Sequence, residues 1–233
     1  MRSTWQTLEK DQVRDIALVC LADLIVAVSF GAIAVGEGLP LWLPMLLSVV
    51  VFAGAAQFMF VGLVASGGNP IAAVIAGLLV NARHVPFGFA VGDVLGTRWL
   101  PRIVGSHLMV DETVAFTLAQ RDARRRRATY WVCGVALFVC WNVGVVIGAF
   151  GGTAVSDTDA LGLDAAFPAV LLALVLPTLG DAITRRAALI GVVVAMVTAP
   201  FLPAGVPVLL ALVGVLAGFG GGERSDPDRM VPA

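Results

Sequence analysis

Apolar runs of about 15 to 25 residues with few or no charges, divided by short charged intervals, make up most of this 233-residue chain. A helix of that length, at 1.5 Å per residue, crosses the roughly 30 Å hydrocarbon core of a bilayer. Hydrophobic residues are 59% of the chain and charged residues 13%, which is more apolar surface than a soluble domain of this length can bury. In hydrocarbon every backbone N–H and C=O must be bonded within its own segment, so the runs are expected to be helices. The expected fold is an all-α polytopic membrane helix bundle. Residues 1–15 read as a cytoplasmic N-terminal segment, 16–219 as the membrane domain and 220–233 as a polar cytoplasmic tail.

Eight spans are the expected count, with seven as the lower bound. They fall at about residues 16–35, 41–65, 70–95, 103–119, 130–150, 166–179, 187–199 and 206–219. Beside Ser29 and Ser48, the polar side chains of the first two are Asp23 and Gln57. The third carries Asn81, Arg83, His84, Pro86 and Asp93 and is expected to be broken near its middle. The fourth is barely long enough to cross, contains His107, Asp111 and Glu112, and is open to a re-entrant or interfacial placement. No internal repeat is visible. Cys20, Cys133 and Cys140 lie inside apolar runs and read as small hydrophobes, not as a disulfide framework.

Short loops rich in Lys and Arg stay cytoplasmic. Arg2, Lys10 and Arg14 precede the first run, Arg121, Arg124, Arg125, Arg126 and Arg127 the fifth, and Arg185 and Arg186 the seventh. Asp157, Asp159 and Asp164 occupy the long loop between. Both termini are therefore expected in the cytoplasm. Arg98 and Arg102 fit badly, because eight spans put them outside. Trp42, Trp99, Tyr130 and Trp131 stand at expected span ends, as an aromatic belt would have them. The basic residues cluster in a few loops and line no face, so nucleic acid has no support as a partner.

A charge at the bilayer centre costs about 2.5–3.5 kcal/mol on insertion scales, so ionisable residues at that depth need partners or a wet cavity. Asp23 lies midway along the first run and Arg83 and His84 midway along the third. Pro86 has no N–H for the carbonyl of Ala82, which favours an interrupted helix there, and broken helices near the midplane are where transporters build substrate sites. Arg83 could instead be one half of a structural ion pair with Asp23 or Asp111. His107 and Asp111 are four residues apart and would share a helix face, with Glu112 turned elsewhere; the group could carry protons or be solvated at the interface. Gly54 and Ala55 suit close helix packing, while Gln57 and Asn142 offer amides as interhelical bonds or ligands. No nucleophile elbow, zinc-ligand pair, phosphate loop or cofactor motif occurs, so no enzyme, metal or cofactor is expected.

Ser48 through Phe52, Ala53, Gly54, Ala55, Ala56, Gln57 and Phe58, then Leu79, Val80, Asn81, Ala82, Arg83 and His84, then Asp111, Glu112 and Thr113 closely resemble the AzlC family of branched-chain amino acid exporters. The tract through Leu161, Asp164, Phe167 and Pro168 is similar to the family's later loop, and the resemblance covers roughly residues 10–220. Ala82 and the sequence Val85, Pro86, Phe87 depart from the family pattern and leave the substrate range open. The resemblance implies a large subunit in a bacterial or archaeal inner membrane. It would work with a small AzlD-like membrane subunit, or as a homo-oligomer, to export valine, leucine, isoleucine or similar amino acids on the proton gradient. On that reading Arg83, Asn81, Gln57, Gly54 and His84 bind substrate, and Asp23, Asp111, Glu112 and His107 couple protons. A passive channel and a non-transporting assembly subunit are the rival readings.

Overall fold

A computed structural model describes residues 8, 10–153, 172, 176–202 and 206–215. The described residues are helical or in turns, without a strand. The expectations for the loop carrying Asp157, for most of the sixth run, and for the 220–233 tail lie outside them.

Two long helices form the frame, α1 (Lys10–Gly36) and α8 (Ala123–Thr153). They run parallel. Gln12 Nε2 donates to Thr129 Oγ1 at 2.7 Å near their starts. Farther along, Gly144 lies against Leu24, Gly148 against Val28 and Gly152 against Ala32, while Gly31 of α1 abuts Val145 and Ala149 in return. A glycine every fourth residue puts one bare stripe on α8, which lets the backbones touch. A β-carbon on Gly148 would collide with the Val28 carbonyl. The end where α8 begins with four arginines is called the basic end here.

At the far end α1 stops at Gly36, and Gly38, with φ of 82°, turns the chain. Helix α2 (Trp42–Val50) then heads inward. It stops halfway. Phe52 has φ of 37°, the only positive value among described non-glycine residues, and Ala53 is extended. Helix α3 (Gly54–Ala65) leads back to the far end, setting Phe58 edge-on against Phe30 at 5.2 Å. Gln57 Nε2 reaches across the hairpin to the Leu47 carbonyl at 2.9 Å.

Asn69 caps α4 (Pro70–Asn81), its side chain accepting from Ile71 N–H at 2.8 Å with Pro70 at the first turn. Helix α4 returns antiparallel to α3, with Gly77 facing the Ala56 carbonyl. After a bend at Ala82 and Arg83, α5 (His84–Val91) and a 3-10 turn (Gly92–Leu95) continue to the basic end. The expected break is present: Ala82 O, denied a donor by Pro86, accepts from Val85 N–H at 3.1 Å. Arg126 Nη2 donates to Ala90 O at 3.1 Å and to Asp93 at 3.2 Å, which fixes this end beside the start of α8.

From the basic end α6 (Trp99–His107) rises to mid-depth, held by Tyr130 Oη donating to Gly105 O at 2.7 Å. The chain reverses at residues 108–110, and α7 (Asp111–Leu118) descends, so that Val114 packs with Val91, Val94, Leu95 and Tyr130. Helices α2–α3 and α6–α7 are therefore re-entrant hairpins inserted from opposite ends. This corrects the expectation of a span at 41–65, while residues 103–119 take the re-entrant placement that their length and charges left open. Among the described residues, three segments are long and apolar enough to cross a membrane: Lys10–Gly36, Pro70–Leu95 and Ala123–Thr153. The correction also removes the misfit of Arg98 and Arg102, which now share the basic end with the start of α8.

Asp181 caps α9 (Ala182–Thr198), accepting from Thr184 N–H at 2.7 Å. Helix α9 packs on α10 (Val206–Ala211), with Gly191 against the Ala211 carbonyl. Leu18, Leu21 and Ile25 of α1, Val139 and Ile147 of α8, and Val193 and Met196 of α9 all face outward. An apolar perimeter around a core holding Gln57, Thr113, Thr117 and Thr129 suits lipid as the surrounding solvent.

Candidate functional site

The two hairpin tips, the α4–α5 bend and the middles of α1 and α8 converge on one cavity of about 370 Å³, within the range of small-molecule sites. Asp23 enters it from midway along α1, Phe52, Gly54 and Ala55 from the far-end tip, Arg83 and His84 from the bend, and Asp111 and Glu112 from the basic-end tip. Val19, Val26 and Trp141 complete its wall.

Each tip presents a helix start. In α3 the first intrahelical bond is Gln57 N–H to Ala53 O at 2.9 Å, so the N–H groups of Gly54, Ala55 and Ala56 precede the ladder, and no side chain caps them. Such an end attracts anions. Gly54 is small for a reason: a β-carbon there would lie 2.8 Å from Trp141 Cη2. Trp141 cannot easily yield, since its ring stacks on Phe30 at 6.1 Å and its Nε1 donates to Gln57 Oε1 at 3.0 Å. In α7 the residues of the first turn are Asp111 and Glu112, a favourable place for carboxylates.

Arg83 Nη1 pairs with Asp111 Oδ2 at 2.8 Å. Both side chains remain open, 42% and 41% exposed. Asp111 Oδ1, by contrast, is shielded and has no donor among the described residues. Asp23 and Glu112 line the same cavity. The cavity thus combines one guanidinium, three carboxylates, an uncapped helix start and an apolar wall. Those groups can hold a zwitterion and exchange protons.

Other expected site residues fall elsewhere. Gln57 is buried, and both ends of its amide are used, to Leu47 and to Trp141, so it positions the tip. Asn81 sits at the end of α4 outside the lining; its carbonyl bonds His84 Nδ1 at 2.9 Å, and its shielded Oδ1 has no partner among the described residues. His107 does not share a helix face with Asp111, because the chain reverses between them. It closes α6, with Nε2 at 2.8 Å from Val49 O and its ring between Phe52 and Phe138. Glu112, expected to point away, lines the cavity with Asp111. Asn142 accepts from Ser48 Oγ at 2.7 Å, an interhelical bond. Val19, Val26 and Trp141 are wall residues that sequence reasoning missed. Apolar side chains within apolar runs carry no signal to separate a pocket wall from packing.

The AzlC protein family matches residues 18–155, a stretch that contains every residue lining the cavity. An uncharacterized membrane protein of Helicobacter pylori strain 26695 is 25% identical over 208 residues, covering 88% of this chain and 90% of its own. Its counterpart in strain J99 is 24% identical over the same length. Inner membrane protein YgaZ of Escherichia coli K12 is 28% identical over 170 residues, covering 69% of this chain and 64% of its own. No solved structure matches the chain.

Proposed function

The chain belongs to the AzlC family, and from that premise we propose that it is the transporting subunit of a proton-coupled exporter of branched-chain or related apolar amino acids, working with a small AzlD-like membrane subunit. The observation that carries this reading is the cavity where the two opposed hairpin tips meet. The substrate carboxylate lies against Arg83 and the N–H groups of Gly54 and Ala55. Its ammonium is received by Asp23 and by the unengaged Oδ1 of Asp111. Its side chain rests on Val19, Val26, Phe52 and Trp141. Asp23 and Glu112 exchange the coupling proton. Residues at a helix break near mid-depth are suited to this, because a small movement of either tip opens the site to one side.

The protein is placed in an inner or plasma membrane with its basic end in the cytoplasm. Removing the two hairpins from the eight expected spans leaves six crossings. That number is even, so both termini stay cytoplasmic, and Arg185 and Arg186 fall on the same side as Arg98 and Arg126. Labelled leucine or valine in vesicles, with this chain present alone or with its small partner, tests the reading. Uphill, pH-driven flux is expected; flux that only equilibrates would identify a passive pore instead.

A further inference from the structure

The densest charge on the described surface lies away from the cavity. Arg98 and Arg102 open α6, Arg121 precedes α8, and four consecutive arginines, 124–127, occupy the first turn of α8. Against these seven stand Asp93 and Asp122, a net charge of +5. Nearby Lys10 and Arg14 of α1 are balanced by Asp11 and Asp15.

Chain folding brings these segments to one corner. Arg126 clamps Ala90 and Asp93, and a β-carbon on Gly96 would lie 3.6 Å from Arg127 Nη1, so the loop leading to Arg98 rests on the α8 arginines. The same loop continues into α6, whose Gly105 is bonded to Tyr130. Arg98, Arg102, Arg121, Arg124 and Arg127 all remain exposed. This arrangement opposes local stability, because a helix start carries partial positive charge and disfavours arginine there, beyond the mutual repulsion of the side chains. An external anion relieves both. The corner lies where two membrane-crossing segments end, at headgroup level. Trp99, 71% exposed beside Arg98, is placed as an interfacial anchor would be.

We propose that this corner, formed by the starts of α6 and α8, is a binding site for the headgroups of anionic phospholipids. Guanidinium forks hold phosphate oxygens through paired bonds, and several of them facing one leaflet select lipids with net negative charge over zwitterionic ones. The site is independent of the transport reading.

The test is native mass spectrometry of the full-length protein released from mixed micelles of phosphatidylglycerol and phosphatidylcholine. Preferential retention of phosphatidylglycerol is expected, falling about fivefold per arginine removed in the pairs Arg98→Gln with Arg102→Gln and Arg124→Gln with Arg127→Gln. The pair Lys10→Gln with Arg14→Gln should leave retention unchanged. Equal retention of the two lipids by the parent overturns the proposal, and because it needs no variant it holds even if a pair fails to fold. An equal loss in the Lys10 and Arg14 pair would show diffuse attraction without a site, which also overturns it. So does displacement of the lipid by inorganic phosphate at matched concentration, which would mean the corner reads phosphate and not a lipid.

Discussion

Arg83 Nη1 stands 2.8 Å from Asp111 Oδ2, joining the bend of one membrane-crossing segment to the tip of a hairpin that does not cross. Both partners are roughly two-fifths exposed, and open ion pairs of this kind contribute about 0–1 kcal/mol. Stability is a weak reason for the pair to exist.

Arg83→Lys is therefore expected to fold normally and to lose substrate affinity about tenfold or more, because an ammonium cannot reproduce the guanidinium fork. Arg83→Ala should accumulate nearly as well as the parent. Affinity for branched-chain amino acids in purified protein of verified fold decides the matter. Binding by the Lys variant as tight as the parent's, with an Ala variant that fails to accumulate, would make Arg83 structural and misplace the substrate site.

The three carboxylates divide by partner. Glu112→Gln is expected to flatten the pH dependence of uphill export while leaving exchange of substrate largely intact; Asp23→Asn, which also removes a partner of the substrate ammonium, should flatten it and weaken affinity as well. Asp111→Asn, which removes the charge facing Arg83, should weaken substrate affinity instead. Unchanged pH profiles in both Asp23→Asn and Glu112→Gln would assign proton movement to other groups.

His107 holds one hairpin to the other through Val49 O, a hydrogen bond of a kind contributing about 0.5–1.5 kcal/mol. His107→Phe should lower the unfolding midpoint and impair transport with little change in substrate affinity, whereas His107→Gln, which keeps a donor, should recover much of both. If His107→Phe instead abolishes binding outright, the residue belongs to the site and not to its frame.

Placement of the hairpins is open to chemical labelling. Cysteines introduced at Glu37 and Ser66, both exposed, should react with an impermeant thiol reagent from the same side of the membrane, since α2–α3 returns to the end it left. Thr97→Cys and Arg121→Cys should both react from the opposite side. A full crossing by residues 41–65 would put Glu37 and Ser66 on opposite sides.

Much of the frame was legible because its signals are local. Hydropathy marked α1 and α8, and Pro86 marked the bend at Ala82. The second hairpin was foreshadowed by the charges and short length of 103–119, but the first was hidden, because hydropathy measures how apolar a run is, not whether it turns. Residues 41–65 contain 25 positions without a charge, and the reversal depends on a single φ angle at Phe52, a type of residue that gives no warning of it. For the same reason Asp23, Arg83, Asp111 and Glu112 were recognisable as residues needing partners, yet their assignment was not: His107 seemed to belong with Asp111 by helical spacing that a three-residue reversal erases.

The glycine-faced seam between α1 and α8 has a consequence for biogenesis. During synthesis α1 enters the bilayer with Asp23 at its centre and its neighbour α8 still to be made. Until the ribosome has delivered Gly144, Gly148 and Gly152, the α8 half of that seam is missing, and the first hairpin has only α1 and α4 to lean on. Assembly of the pocket is thus postponed to the arrival of α8.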